Sequence, residues 1–167
     1  MKILVFSDSH GYEENIRKVV FQHQLDTDMV LFAGDGIDDI NNVKVDYPSI
    51  DFEIVGGNRE EYLYSLFPHS DIEYEKIISI GNLKILLSHG HKYKVKYSLD
   101  SICKYAFEKG IDIVVFGHTH IPKNEVLNSD SCKPLYIINP GSISSSRPSY
   151  GLINIQNGII KTEIIEI

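Results

Sequence analysis

Only two cysteines, Cys103 and Cys132, occur in the 167 residues, too few for a disulfide framework. Cys103 falls on an apolar helical face, where a thiol packs as a small hydrophobe. Long hydrophobic runs are also missing, since no stretch approaches the about 18 apolar residues of a membrane-spanning helix. The apolar opening Met1–Phe6 is too short for a secretory signal, and Asp8 interrupts it. A soluble cytoplasmic protein without a membrane partner is expected. Positive charge is scarce: 16 Lys and Arg against 23 Asp and Glu leave a net charge of −7. A nucleic-acid footprint needs a basic face, so nucleic acid is disfavoured as a partner. An acidic chain handling an anionic substrate needs local compensation, and bound cations are one means.

There is no internal repeat and no interdomain linker. With 43% hydrophobic residues, the length suits a single domain over 1–167 with a sizeable core. Apolar runs at 3–6, 29–33, 52–55 and 113–116 read as strands buried on both faces. Helical spacing between 12 and 25 separates the first two, which makes a βαβ unit with neighbouring carboxyl ends. Residues 73–80 and 83–87 flank a two-residue Gly81-Asn82 hairpin signal. A second apolar helical face, from Leu99 to Phe107, is stopped by Gly110. After Pro122 the pattern turns to antiparallel β, with Asn157-Gly158 as a type I′ turn before an Ile-rich tail. The expected fold class is α/β, with two packed sheets and helices outside.

Chemistry-bearing residues gather where these strands end. The first strand runs into Asp8-Ser9-His10, the second into Gly34-Asp35, the third into Gly57-Asn58-Arg59. The strand to Leu87 delivers His89-Gly90-His91, and the strand to Phe116 delivers His118-Thr119-His120. Ligand sites in open α/β sheets form at this edge. Singly, each has an ordinary reading: Asp8 as a helix cap, Asn58 as a turn residue, Arg59 as a surface charge. A turn after Gly117 could aim the two rings of His118 and His120 at different ions. Asp38 and Asp39 suit the first turn of a short helix, His23 a helix edge, and His69 a surface loop.

Together, Asp8, His10, Asp35, Asn58, His89, His118 and His120 make seven nitrogen and oxygen donors. They are too many for one tetrahedral ion and include no thiolate, which disfavours a structural zinc site. They suit two divalent ions of the Mn, Fe, Zn or Ni kind sharing a carboxylate. Two-metal sites, with ions about 3.5–4 Å apart, stabilise attacking and leaving oxygens in phosphoryl displacement.

In this order, the motifs resemble those of the calcineurin-like metallophosphoesterases. The short chain and Asn139-Pro140-Gly141-Ser142 are similar to the small YfcE-like branch of bacterial and archaeal phosphodiesterases. The resemblance implies a four-layer α/β/β/α sandwich of two mixed sheets. It implies Asp8, His10 and His120 on one metal, Asn58, His89 and His118 on the other, and Asp35 bridging them. Manganese is the expected ion, with Ni, Zn, Fe or Mg as alternatives. The implied reaction is attack on a small phosphodiester by a metal-bridging hydroxide, with the diester preference resting on the resemblance alone.

Larger members carry a histidine after Gly-Asn that protonates the leaving group; the small branch often has cysteine there, and this chain has Arg59. A guanidinium keeps its protons to a pH above about 12 and binds phosphate well, so Arg59 is expected to orient the substrate. His91 is then the candidate proton donor, or else it orients His89 or a metal-bound water. An alternative is a non-catalytic interaction module on the same fold, as the retromer subunit resembling this family is. A mononuclear nuclease fits the acidic charge less well. The apolar C-terminal strand from Ile159 to Ile167 is expected to be exposed and would permit a homodimer or larger homo-oligomer.

Overall fold

The apolar runs all become strands in the computed structural model, which describes residues 1–66, 72–129 and 132–167. In chain order the elements are β1 (Lys2–Phe6), α1 (Glu13–His23), β2 (Met29–Ala33), α2 (Ile37–Lys44), β3 (Asp51–Val55), α3 (Asn58–Leu66), β4 (Glu75–Ile80), β5 (Leu83–Ser88), α4 (Asp100–Lys109), β6 (Ile113–Val115), β7 (Lys123–Ser129), β8 (Cys132–Asn139), β9 (Ser149–Gln156) and β10 (Ile159–Glu166). One sheet has the order β10-β9-β1-β2-β3 and the other β4-β5-β6-β8-β7. Both are mixed. β1, β2 and β3 run parallel, as do β5, β6 and β8, and the remaining pairings are antiparallel.

Alternation along a strand sends successive side chains to opposite faces, and this produces the layers. Ile3, Val5, Leu31 and Ala33 meet Ile85, Leu87, Ile113 and Val115 between the two sheets. Their neighbours Leu4, Phe6, Val30 and Phe32 pack outward on Ile16, Val19 and Val20 of α1 and on Ile40 and Val43 of α2. On the far side, Leu86, Val114 and Ile137 pack on Ile102, Cys103 and Ala106 of α4. Helix, sheet, sheet, helix is the α/β/β/α sandwich the resemblance implied. Each fully buried Val, Leu, Ile or Phe side chain among these stabilises the fold by about 1.5–3 kcal/mol. No helix among the described residues is long and apolar enough to cross a membrane.

The turn chemistry follows the sequence. β4 passes to β5 with Ile80 opposite Leu83, so Gly81-Asn82 is a two-residue loop. Asn157 and Gly158 both have positive φ, as a type I′ turn requires. Gly110 takes the left-handed conformation after α4.

Three expectations need correction or completion. The segment after Gly57 is not a simple turn: helix α3 begins at Asn58. Its apolar residues Tyr62, Leu63 and Leu66 are all exposed, so no periodic buried face announces it. The antiparallel β after Pro122 divides between the sheets: β7 and β8 join β6, whereas the last hairpin returns to pair antiparallel with β1. The tail is not an exposed apolar strand. Ile160 and Ile164 pack into the core between the sheets, Ile165 and Ile167 pack against the outer core, and Lys161, Glu163 and Glu166 face outward. Ile159 alone stands well exposed. His23 serves packing, with its ring nitrogens 2.9 Å from Lys2 Nζ and 3.0 Å from the Tyr150 hydroxyl. His69 lies outside the described residues.

Candidate metal centre

The parallel strands of both sheets end at a shared rim, and their loops converge there. Asp8 follows β1 and is wholly buried, with Oδ2 accepting from the Ser7 hydroxyl at 2.5 Å and the His118 N–H at 3.0 Å. Its other oxygen, Oδ1, is buried and has no hydrogen-bond donor. Nitrogen atoms surround it instead: His120 Nε2 at 3.1 Å, His10 Nε2 at 3.8 Å and His89 Nε2 at 4.0 Å. Asp8 does not cap α1, whose first turn begins beyond Tyr12.

Acceptors facing acceptors continue through the cluster. His89 is fully buried, and its Nδ1–H donates to the Ala33 carbonyl at 2.6 Å. The lone pair is thereby fixed on Nε2. That Nε2 lies 3.2 Å from Asn58 Oδ1, 3.2 Å from His118 Nδ1 and 3.6 Å from Asp35 Oδ1. A buried acceptor without a donor is costly, and a cation between these atoms removes the conflict. Among the described residues, two groups have mutually close ligand atoms: Asp8, His10 and His120, and Asp8, Asp35 and His89. The first is the trio read for one metal. In the second, Asn58 and His118 stand beside His89, and Asp8 reaches both groups. The two rings of the His-x-His pair do separate, His120 toward Asp8 and His10, and His118 toward His89.

The backbone is bent to make this possible. Asp8, His10, Asp35, His118 and His120 have φ of 55°, 46°, 60°, 67° and 58°. Non-glycine residues rarely adopt such angles, which cost on the order of 1 kcal/mol each and collect at functional sites. Glycines let the loops touch. A Cβ on Gly57 would lie 2.1 Å from Asp35 Oδ1, and one on Gly117 would lie 1.8 Å from Ser7 Oγ.

Electrostatics keep Asp8, His10 and His118 in coordinating form, while His120 is drawn the other way. For Asp8, burial pushes the carboxyl up, but the neighbouring His120, the His89 charge and the Ser7 hydroxyl outweigh it and hold the pKa below the ordinary value. Burial, reinforced by His89, pushes His118 down to about 4. Burial likewise lowers His10 and His91, while the Asp8 carboxylate beside it raises His120. Neutral imidazoles and an ionised carboxylate are what divalent ions bind.

Arg59 lies at this rim. Its backbone N–H donates to Asp35 Oδ1 at 3.0 Å, and its guanidinium donates to His10 Nδ1 at 2.7 Å. His91 stands two residues after His89, with ring centroids 5.3 Å apart, its Nε2 3.0 Å from Glu61 Oε2 and its Nδ1 buried without a partner. Asp38 and Asp39 open α2 as expected, and Asp39 additionally accepts from the Ser9 hydroxyl at 2.6 Å and the Gly11 N–H at 2.8 Å.

Several positioning residues carry no signal in a linear reading. Glu60 is buried, and its carboxylate accepts N–H groups of Asp35, Gly36, Ile37 and Gly57 at 2.8–3.3 Å, clamping the second and third loops together. Asn139, at the end of β8, donates to the Gly117 carbonyl at 2.8 Å and the Thr119 hydroxyl at 3.0 Å. Ser142 and Ser144 both donate to the Asp8 carbonyl. Asn139 and Ser142 are the exceptions, since they belong to the Asn139-Pro140-Gly141-Ser142 stretch that carried part of the resemblance.

Nitrogen and oxygen donors on the common rim of two sheets define a centre for divalent cations. The chain belongs to the calcineurin-like phosphoesterase superfamily, whose domain model matches residues 1–158. It is 31% identical over 162 residues to the Bacillus subtilis protein named Probable metallophosphoesterase YsnB, covering 94% of this chain and 86% of that one. It is 24% identical over 180 residues to a phosphodiesterase of Methanocaldococcus jannaschii, with 99% and 100% covered. A predicted phosphoesterase from Streptococcus pneumoniae has the same fold, with a TM-score of 0.78 at 22% identity over 99% of this chain and 88% of that one. Zinc-complexed Vps29 of Entamoeba histolytica shares it too, with a TM-score of 0.69 at 19% identity and 99% of each chain covered.

Proposed function

We propose that the chain is a dinuclear metal-dependent phosphodiesterase acting on small diesters. The observation that carries this reading is the buried, donorless Asp8 Oδ1 among the Nε2 atoms of His10, His89 and His120. Asp8, His10 and His120 would hold one ion, and Asn58, His89 and His118 the other, with Asp35 shared. Manganese suits this thiolate-free set, as do Fe, Ni and Zn. When bound, such ions supply Lewis acidity and a nucleophilic water near neutral pH.

The chain's own residues do the rest. A lone pair on His10 Nε2 requires hydrogen on Nδ1, and Arg59 then loses its acceptor there. Its guanidinium becomes free for the nonbridging phosphate oxygens, as a fork that matches them. In hydrolysis the water oxygen joins phosphorus, the ester P–O bond breaks, and one proton goes to the departing alkoxide. His91, held by Glu61, is the proposed proton source. Arg59 keeps its protons, so good leaving groups should be favoured. Diester preference is supported by the phosphodiesterase among the relatives.

Turnover of bis(4-nitrophenyl) phosphate and 4-nitrophenyl phosphate tests the proposal. The metal-stripped protein is restored in turn with Mn²⁺, Ni²⁺, Zn²⁺ and Mg²⁺, beside D35N. Metal-dependent diester hydrolysis lost in D35N is expected. Absence of turnover in folded, metal-loaded protein would favour an interaction module, with Arg59 as the first suspect. If H91A leaves alkyl-ester hydrolysis unchanged, His91 is not the acid.

A further inference from the structure

A pocket of about 420 Å³ adjoins the donor cluster without containing any of its ligands. Val95 and Phe116, both buried, and the half-buried Leu99 give it an apolar floor. Ile121 lines it while 68% exposed, an apolar side chain held out toward solvent. The pocket meets the metal rim at two points. Thr119, between His118 and His120, forms one wall, its hydroxyl tied to the Ile121 backbone. On the other side, Gly90, between His89 and His91, approaches so closely that a Cβ would lie 2.8 Å from Val95 Cγ2 and 3.4 Å from Phe116 Cβ.

The charges are arranged unequally. Lys123 at the pocket edge is paired with Glu125 at 2.6 Å, whereas Lys96 has no carboxylate partner among the described residues. Lys96 lines the same pocket as Thr119, which stands between His118 and His120. In a chain of net charge −7, an unpaired cation beside the metal ligands and an apolar hollow of ligand size is a combination suited to an organic anion.

We propose that this pocket is a substrate subsite, taking the aromatic ester arm that stays on phosphorus while Lys96 meets a nonbridging phosphate oxygen. The proposal rests on the phosphodiesterase reading and names the substrate class: diesters with one aromatic arm. Aliphatic arms fill less of the hollow and gain less from its apolar walls.

The test compares phenyl 4-nitrophenyl phosphate with methyl 4-nitrophenyl phosphate on Mn²⁺-loaded protein, since both release the same alcohol. The phenyl ester should have a KM lower by about tenfold, the size of effect a modest apolar contact produces. Ile121 is exposed, so I121S should keep the wild-type melting temperature, and in it the two KM values should converge. K96Q should raise KM for both esters. Equal KM values in the wild type, or a phenyl preference that survives I121S, would overturn the subsite. If neither ester is hydrolysed, the phosphodiesterase reading fails, and binding of phenylphosphonate against methylphosphonate by ligand-detected NMR decides the pocket. Tighter phenylphosphonate binding, lost in I121S, upholds it; no discrimination overturns it.

Discussion

Replacing Glu60 with alanine should damage the protein far more than the same change one residue later. Four backbone N–H groups converge on the Glu60 carboxylate, and those of Asp35 and Gly57 are buried. A buried donor left without an acceptor costs about 1–3 kcal/mol, so two of them put E60A at about 2–6 kcal/mol. The N–H groups of Gly36 and Ile37 lie nearer solvent and can turn to water. For a chain of this size each kcal/mol lowers Tm by about 2–4 °C, which predicts a fall of at least about 4 °C. Glu61 is 48% exposed and pairs with Lys92 and His91 at the surface, so E61A should stay within about 0.5 kcal/mol of wild type. Urea and thermal melts of metal-stripped wild type, E60A and E61A measure both. Because the lost contacts hold the Asp35 and Asn58 loops, E60A should also weaken metal binding in a calorimetric titration. Equal, sub-kcal/mol losses in the two variants would refute the clamp.

Other outcomes follow from particular contacts. G57A drives a Cβ into Asp35 Oδ1 and should lower metal affinity by about 10–100-fold, read by the same titration. R59L should raise KM for the diester by about tenfold, from one lost charge-assisted contact, while binding metal at least as tightly as wild type, because Arg59 no longer occupies His10. Weaker metal binding in R59L would contradict that competition. Burial and the Lys2 charge lower the pKa of His23, so the unfolded chain takes up this proton first. The stabilisation is therefore complete above about pH 6.5 and lost as pH falls below it. Urea midpoints from pH 8 to 5 should drop more for wild type than for H23Q, and parallel curves would count against it.

The fold was readable where burial is two-sided and turns are chemically specified. Ile3–Phe6 and Met29–Ala33 are apolar at every position because the inter-sheet core takes one face and the helices the other. Helix α3 was unreadable for the opposite reason, since its one buried side chain is the charged Glu60. The return of β9 to β1 is a long-range pairing that no local pattern encodes. At the site, the donors were legible because each follows a strand, and parallel strands bring such positions to one rim. The supports were not. Glu60, Ser142 and Ser144 act through backbone groups distant in sequence, and Arg59 carries nothing that identifies His10 as its partner.

The central claim, two ions held by one cluster, is tested most directly by counting them. Native mass spectrometry of metal-stripped protein restored with Mn²⁺ should show two ions per chain, and fewer in D8N, because Asp8 reaches both groups. A folded wild-type chain that binds at most one ion, or a D8N chain that still binds two, would contradict the account.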